Sequence, residues 1–177
     1  MKPHTPAPQC AICGASAFVE LVKDESGVFW PAHPGHGLEV TQVCLNTSCL
    51  SALEKGEELP HKIDSFLKKQ VCSALGLARK SGHIVAGQDD VDACFKSGKG
   101  IKCVVVAGNA GASTQRLSRK WLEKLDVFYL LDKDTLGWSL GFTSCSVVGI
   151  NAKAKNARAE LKRYAEWNDT RKVINER

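Results

Sequence analysis

"IKCVVVAGNAGASTQRL", residues 101–117, decides the fold. Its opening, "IKCVVVAG", is a near-continuous β-branched run over residues 101–108. Such a run reads as a central strand covered on both faces. After a short loop, Thr114 to about Lys124 carries a helical pattern. Downstream, "VFYLL" (residues 127–131) reads as a strand, Leu136–Leu140 as a short helix, and "SVVGI" (146–150) as a further strand. A last helix runs from about Lys155 to Trp167. Upstream, Ile63, Phe66, Leu67, Val71, Ala74, Leu75 and Ala78 fall on one helical face. Asp64 and Ser65 stand as cap residues near the start of that helix, and Gly82 ends it. A strand from His83 to Ala86 leads through Gly87 into a helix from about Asp89 to Lys96, stopped by Gly98. Three acids crowd the first turn of that helix, where its dipole favours them. Strands alternating with helices of this length predict an α/β fold, a three-layer α/β/α sandwich of about 100 residues.

The 177 residues allow one ordinary domain or two small ones. Hydrophobic residues make up 44% and charged residues 24%, which excludes a disordered chain. Residues 1–60 carry a net charge of −4 and residues 61–177 a net charge of +9. That split predicts two units, the second with an anionic partner; a merely soluble basic surface is the alternative. "EKGEELPHK", residues 54–62, is polar and broken by Gly56 and Pro60, and marks the boundary. "MKPHTPAPQC" has no apolar signal core, and no apolar run approaches the ~20 residues of a membrane span. A cytoplasmic protein with no membrane partner is the expectation, and its eight cysteines should be reduced.

The cysteines form two populations. Cys10 and Cys13 in "CAIC", with Cys44 and Cys49 in "VCLNTSCLSAL", read C-x2-C, thirty residues, C-x4-C. Both spacings suit a tetrahedral site for one structural zinc, which would staple a unit with a small core. Four reduced, partly buried thiols are the alternative. His33 and His36 in "HPGHG" could replace a thiolate, but the surrounding Pro and Gly read as a turn. Cys72, Cys94, Cys103 and Cys145 stand alone in apolar or helical surroundings and are expected in the core.

The loop "AGNAGAST" occupies the place of a nucleotide-binding turn, with Asp132 where a ribose-binding acid would sit. Gly108 and Gly111 give only G-x-x-G, and no G-K-[ST] follows, so an ordinary helix-start loop is favoured. No Ser/His/Asp or Cys/His grouping suggests a nucleophile, so no enzyme is expected.

"LGLARKSGHIVAGQDDVDACFKSGKGIKCVVVAGNAGASTQRL", residues 75–117, and "DTLGWSLGFTSCSVVGI", residues 134–150, resemble the bacterial YlxQ branch of the kink-turn-binding ribosomal protein superfamily. The resemblance spans residues 70–166 and implies an RNA-binding α/β/α domain. It implies an RNA site at the start of one helix, Gly87, Asp89 and Asp90, and in the loop Phe142, Thr143 and Ser144. That family's kink-turn readers carry Asn-Glu at the helix start and Lys one turn on. This chain has Asp89, Asp90 and Ala93, and an ionised Asp accepts hydrogen bonds but does not donate them. "CAIC", "GHG" and "VCLNTSCLSAL" resemble the YlxR family over residues 8–55. His36 stands in place of that family's arginine, and Gln42 in place of its aromatic residue.

The resulting expectation has four parts: an α+β YlxR-like domain over residues 1–58, a linker and helix start over 59–69, the RNA-binding domain over 70–166 and a polar tail over 167–177. Structured RNA is the expected partner, with a protein partner for the first domain. Arg79, Lys80, Arg116, Arg119 and Lys120 are candidate phosphate-binding residues beside Gly87, with Lys96, Lys99 and Lys102 nearby. The tail cations Lys153, Lys155, Arg158, Lys162 and Arg163 form a second RNA-facing set or a solvated face. Two other functions compete: a protein-interaction adaptor whose RNA face has decayed, and a nucleotide-binding enzyme using the Gly108 loop.

Overall fold

The computed structural model describes residues 8–32, 39–54, 58–98 and 100–175. His33, His36, Gly56 and Lys99 lie outside the described residues. The chain divides into two compact units: residues up to Phe66 together with Thr170 onward, and Leu67–Asp169. The fold is mixed α/β, with two sheets and six helices among the described residues.

In the first unit, β1 (Val19–Lys23) pairs antiparallel with β2 (Phe29–Pro31) and with β3 (Val40–Val43), giving the order β2-β1-β3. The β1–β2 connection is organised by one side chain. Asp24 accepts from Ser26 N, Val28 N and Trp30 Nε1 at 3.0, 2.9 and 2.9 Å. The Ser26 hydroxyl, the Trp30 indole and the Val28 amide hold its carboxyl down at about 2. A short helix, α1 (Thr47–Leu53), follows, with Asn46 as its N-cap. Val19, Leu21, Val43, Leu50, Leu59 and Ile63 are buried in this unit.

Helix α2 spans Glu58–Lys80 and crosses from the first unit into the second. It starts a turn before the apolar pattern predicts. Pro60 is in its first turn, where a missing N–H costs no helical bond. Asp64 and Ser65 are therefore interior residues of α2 and not its caps.

The second unit continues with β4 (Ile84–Ala86), α3 (Gln88–Lys96), β5 (Ile101–Val106), α4 (Ala112–Trp121), β6 (Asp126–Tyr129), α5 (Lys133–Ser139), β7 (Val147–Asn151) and α6 (Lys155–Asn175). α4 begins two residues earlier and ends three earlier than its pattern predicts. Only Asp89 and Asp90 lie in the first turn of α3; Asp92 is a turn further on and pairs with Lys96 at 2.6 Å. The sheet order is β4-β7-β5-β6. β5 and β6 are parallel, and β7 is antiparallel to both β4 and β5. β4, β5 and β6 therefore point the same way, and each feeds a helix from one common sheet edge.

Cys103, Val104, Val105 and Val106 are all fully buried, as are Val147 and Val148. Successive strand residues face opposite sides, so both faces of the sheet are covered. Gly149 faces α3: a Cβ there would stand 3.4 Å from Val91 Cγ2 and 2.6 Å from Ile101 Cδ1. Ile150, Cys103 and Asp126, in register with one another one position on, face the other side, where Arg158 of α6 acts on Cys103 and Lys162 approaches Asp126 at 3.7 Å. Cys103 and Cys145 are buried, but Cys72 and Cys94 are only half-buried on the flanks of their helices. No helix among the described residues is long and apolar enough to cross a membrane.

Candidate metal centre and candidate nucleic-acid interface

The four cysteines of the first unit come together. Their sulfurs all lie within 4.8 Å of one another, and Cys13 and Cys44 are 3.6 Å apart. Four thiolates about 2.3 Å from a central zinc would stand about 3.8 Å apart, so the cluster has the right size. Local backbone explains the gathering. Gly14 N donates to Cys10 O at 2.9 Å and Cys10 N to Ala15 O at 2.7 Å, which folds the first pair into a turn. Ala11 N donates to Gln42 O at 2.8 Å and docks that turn on β3. Cys44 directly follows β3, and Cys49 is held in the first turn of α1, where its N–H reaches Asn46 O at 3.0 Å.

Burial resists ionisation of Cys10, but the amides of Cys13, Cys44 and Ile12 outweigh it and bring the thiol down to about 6. Burial pushes Cys49 up to about 12, helped by the sulfurs of Cys13, Cys44 and Cys10. Cys44 is raised as well, chiefly by burial. One sulfur thus ionises readily while others resist sharing their space with negative charge. A divalent cation bound by thiolates removes that conflict. Cys10, Cys13, Cys44 and Cys49 can hold a metal ion.

The second unit has an open cleft of about 570 Å³ at the edge where β4, β5 and β6 end. In sheets of this kind ligands bind outside the carboxyl ends of the strands. Of the residues singled out in the sequence, Gly87, Asp89, Phe142 and Ser144 line the cleft together. Asp90 and Thr143 adjoin it in sequence and are exposed. Gly111, Ser113 and Thr114 of the "AGNAGAST" loop line it too, as do Gln88 and Lys133, which the sequence does not single out. Gln88 Oε1 accepts from Thr114 Oγ1 at 2.8 Å, which ties the start of α3 to the start of α4.

Two helix N-termini therefore open at one place. Their N-caps are Gly87 and Gly111, neither of which offers a side chain to the free amides. Such ends favour an anion, and α4 has no acid in its first turn. Gly87 adopts φ 106° and ψ 147°, a backbone region essentially closed to other residues, and this sets the entry into α3. Lys133 adds a cation at the wall. Its amide donates to Asn109 Oδ1 at 2.9 Å and its carbonyl accepts from Cys145 N at 2.9 Å. Asp132, considered for ribose, caps α5: it accepts from Thr135 N at 2.7 Å and Thr135 Oγ1 at 2.8 Å, and Lys68 lies 3.8 Å away.

Phe142 is half-exposed, and the Arg79 guanidinium stacks over its ring at 4.0 Å. Arg79 thus reaches the cleft through Phe142, while Lys80 is exposed at the end of α2. Arg116, Arg119 and Lys120 do not line the cleft. They are exposed on α4, opposite its buried Thr114, Ser118 and Trp121. Ser113, Arg116 and Lys120 follow one another at helical spacing, so the stripe leads away from the cleft.

No family model and no curated protein matches this chain. Similar solved structures include a protein of unknown function from Bacillus halodurans, 22% identical, covering 54% of this chain and 96% of that one with a TM-score of 0.48. Another is the 15.5kD RNA binding protein of Giardia lamblia, 16% identical, covering 56% of this chain and 88% of that one with a TM-score of 0.47.

Proposed function

We propose that this chain is a non-catalytic RNA-binding protein that holds structured RNA in the cleft of its second unit. One observation carries the reading. The cleft unites two helix N-termini without side-chain caps, the Lys133 cation and the half-exposed Phe142 ring. Amide groups and Lys133 suit phosphate oxygens, and Phe142 backed by Arg79 suits the face of an unpaired base. The +9 charge of residues 61–177 supplies attraction at longer range. The YlxQ-like pattern of residues 75–150 points the same way, toward the α/β/α sandwich of the kink-turn-binding superfamily. Asp89 in the cleft and Asp90 beside it oppose phosphate, so the RNA approaches through α4, Lys133 and Phe142.

In this reading the first unit, the YlxR-like domain over residues 1–58, is stapled by one zinc on Cys10, Cys13, Cys44 and Cys49. Its local charge of −4 suits a protein partner better than RNA. The protein acts in the cytoplasm. Asp89 in the cleft also favours the second reading, an adaptor whose RNA face has decayed.

Fluorescence anisotropy with a labelled RNA hairpin carrying an internal loop separates the two. The full chain should bind saturably, and Phe142→Ala and Lys133→Ala should each weaken binding. Wild-type affinity in both variants would remove the cleft from the account.

A further inference from the structure

Among the described residues, Trp138 is the most exposed large apolar side chain, and the cleft does not use it. It sits on α5 and is 82% exposed. A groove of about 520 Å³ lies beside it, lined by Cys72, Asp134, Thr135, Trp138 and Ser139. Beside it α2 and α5 approach closely, since a Cβ on Gly76 would stand only 3.0 Å from Ser139 O.

Groove and cleft share a wall. Lys133 lines the cleft while Asp134 and Thr135 line the groove, so the first turn of α5 separates them. Phe142 follows Trp138 by four residues, and its amide donates to Gly137 O at 2.9 Å, which holds the loop against the end of α5. Between the two residues Gly141, at φ 70°, turns the chain out of α5 and leaves Phe142 in the loop that lines the cleft. The nearby charge also suits a nucleic acid: with Lys68 and Asp132 set aside as an ion pair, residues 67–80 of α2 and the first turn of α5 carry Lys69, Arg79, Lys80 and Lys133 against Asp134. Asp132 is already paired with Lys68 and engaged in capping.

We infer that Trp138 and its groove receive an unpaired nucleobase, from a strand that continues out of the cleft. The inference rests on the RNA reading above and extends it: the ligand is a structured RNA with an unpaired extension. Trp138 supplies a sequence-tolerant stacking face, and the cations along α2 take the strand's phosphates.

The test compares two labelled hairpins on the full chain, one blunt and one with a short unpaired extension. Trp138→Ala should weaken binding of the extended RNA about 5- to 150-fold, the range for loss of one base–aromatic stack, and leave the blunt RNA unchanged. Trp138→Phe should keep most of the affinity. Extended RNA should also shield an indole from acrylamide in wild type and not in Trp138→Phe; Trp121 and Trp167 are fully buried and contribute little to that signal, and Trp30, 47% exposed in the first unit, is a background common to both proteins. Equal loss for both RNAs, or none for either, overturns the groove site while leaving the cleft intact. A change in oligomeric state in Trp138→Ala with unchanged RNA affinity also overturns it, and assigns the groove to a second copy of the chain. Wild type binding neither RNA removes the cleft reading and this inference with it.

Discussion

Replacing Gly137 by alanine should dislodge the cleft loop without touching any group that faces the ligand. Gly137 is buried in α5, and a Cβ on it would stand 2.4 Å from Ser144 Cα and 2.7 Å from both Ser144 C and Ser144 N. Carbon atoms in contact prefer about 3.5–4.0 Å, so the loop must retreat by about 1 Å. Two effects oppose each other. Alanine favours a helix over glycine by about 1 kcal/mol. Overpacking costs about 1–3 kcal/mol, and a backbone neighbour, which has no rotamer to yield, is at the upper end. Destabilisation by about 2 kcal/mol should result. For a unit of about 100 residues that lowers Tm by roughly 8–16 °C. Thermal unfolding followed by circular dichroism reads the first effect. RNA anisotropy reads the second, since displacement of Phe142 and Ser144 should weaken binding. Ser144→Gly should not rescue the variant, because the obstruction is main chain. An unchanged or raised Tm would refute the seating of this loop on α5.

Four further outcomes follow from the same geometry. Elemental analysis should find about one zinc per chain, and Cys10→Ser should lose it and loosen the first unit while the second keeps its melting transition; metal-free protein with an ordered first unit would leave the thiols as packing. Asp24 should titrate near 2, below its ordinary value, so its support of the β1–β2 turn is complete above about pH 4 and fades as pH falls toward 2; a carboxyl midpoint near 4 by NMR would contradict the bonds to Ser26, Val28 and Trp30. Asp132→Ala should cost about 1 kcal/mol through loss of the α5 cap, with Asp132→Asn close to wild type in chemical denaturation. Asp89→Asn with Ala93→Lys should raise affinity for a kink-turn RNA over a straight duplex; equal binding of both RNAs by both proteins would mean that the start of α3 does not face RNA.

Much of the second unit is legible in the chain because its signals are local. The run from Cys103 to Val106 announces two covered faces, and Gly87 marks a turn that other residues avoid. The start of α2 is harder to read, since Pro60 looks like a breaker until it is seen in a first turn. The first unit's strands have three to five residues with incomplete burial, too short for a periodic signal. The cysteine spacing is readable, but the common pocket depends on Ala11 docking to Gln42, a bond between distant segments. Lys133 escapes notice for a similar reason. It reaches the cleft only because β6 runs parallel to β5 and delivers α5 to the same edge as α4. Trp138 lies in a seven-residue helix, too short for a periodic signal that would distinguish an exposed indole from a core one.

The salt dependence of RNA affinity tests the central claim most directly. The full chain is titrated with one structured RNA at several ionic strengths, beside a variant lacking Arg116, Arg119 and Lys120. Counterion release predicts that log affinity falls linearly with log salt, and that the variant's slope is shallower by roughly 0.7–0.9 for each phosphate no longer neutralised. An affinity indifferent to salt, or no saturable binding at low salt, would contradict the assignment of this protein to RNA.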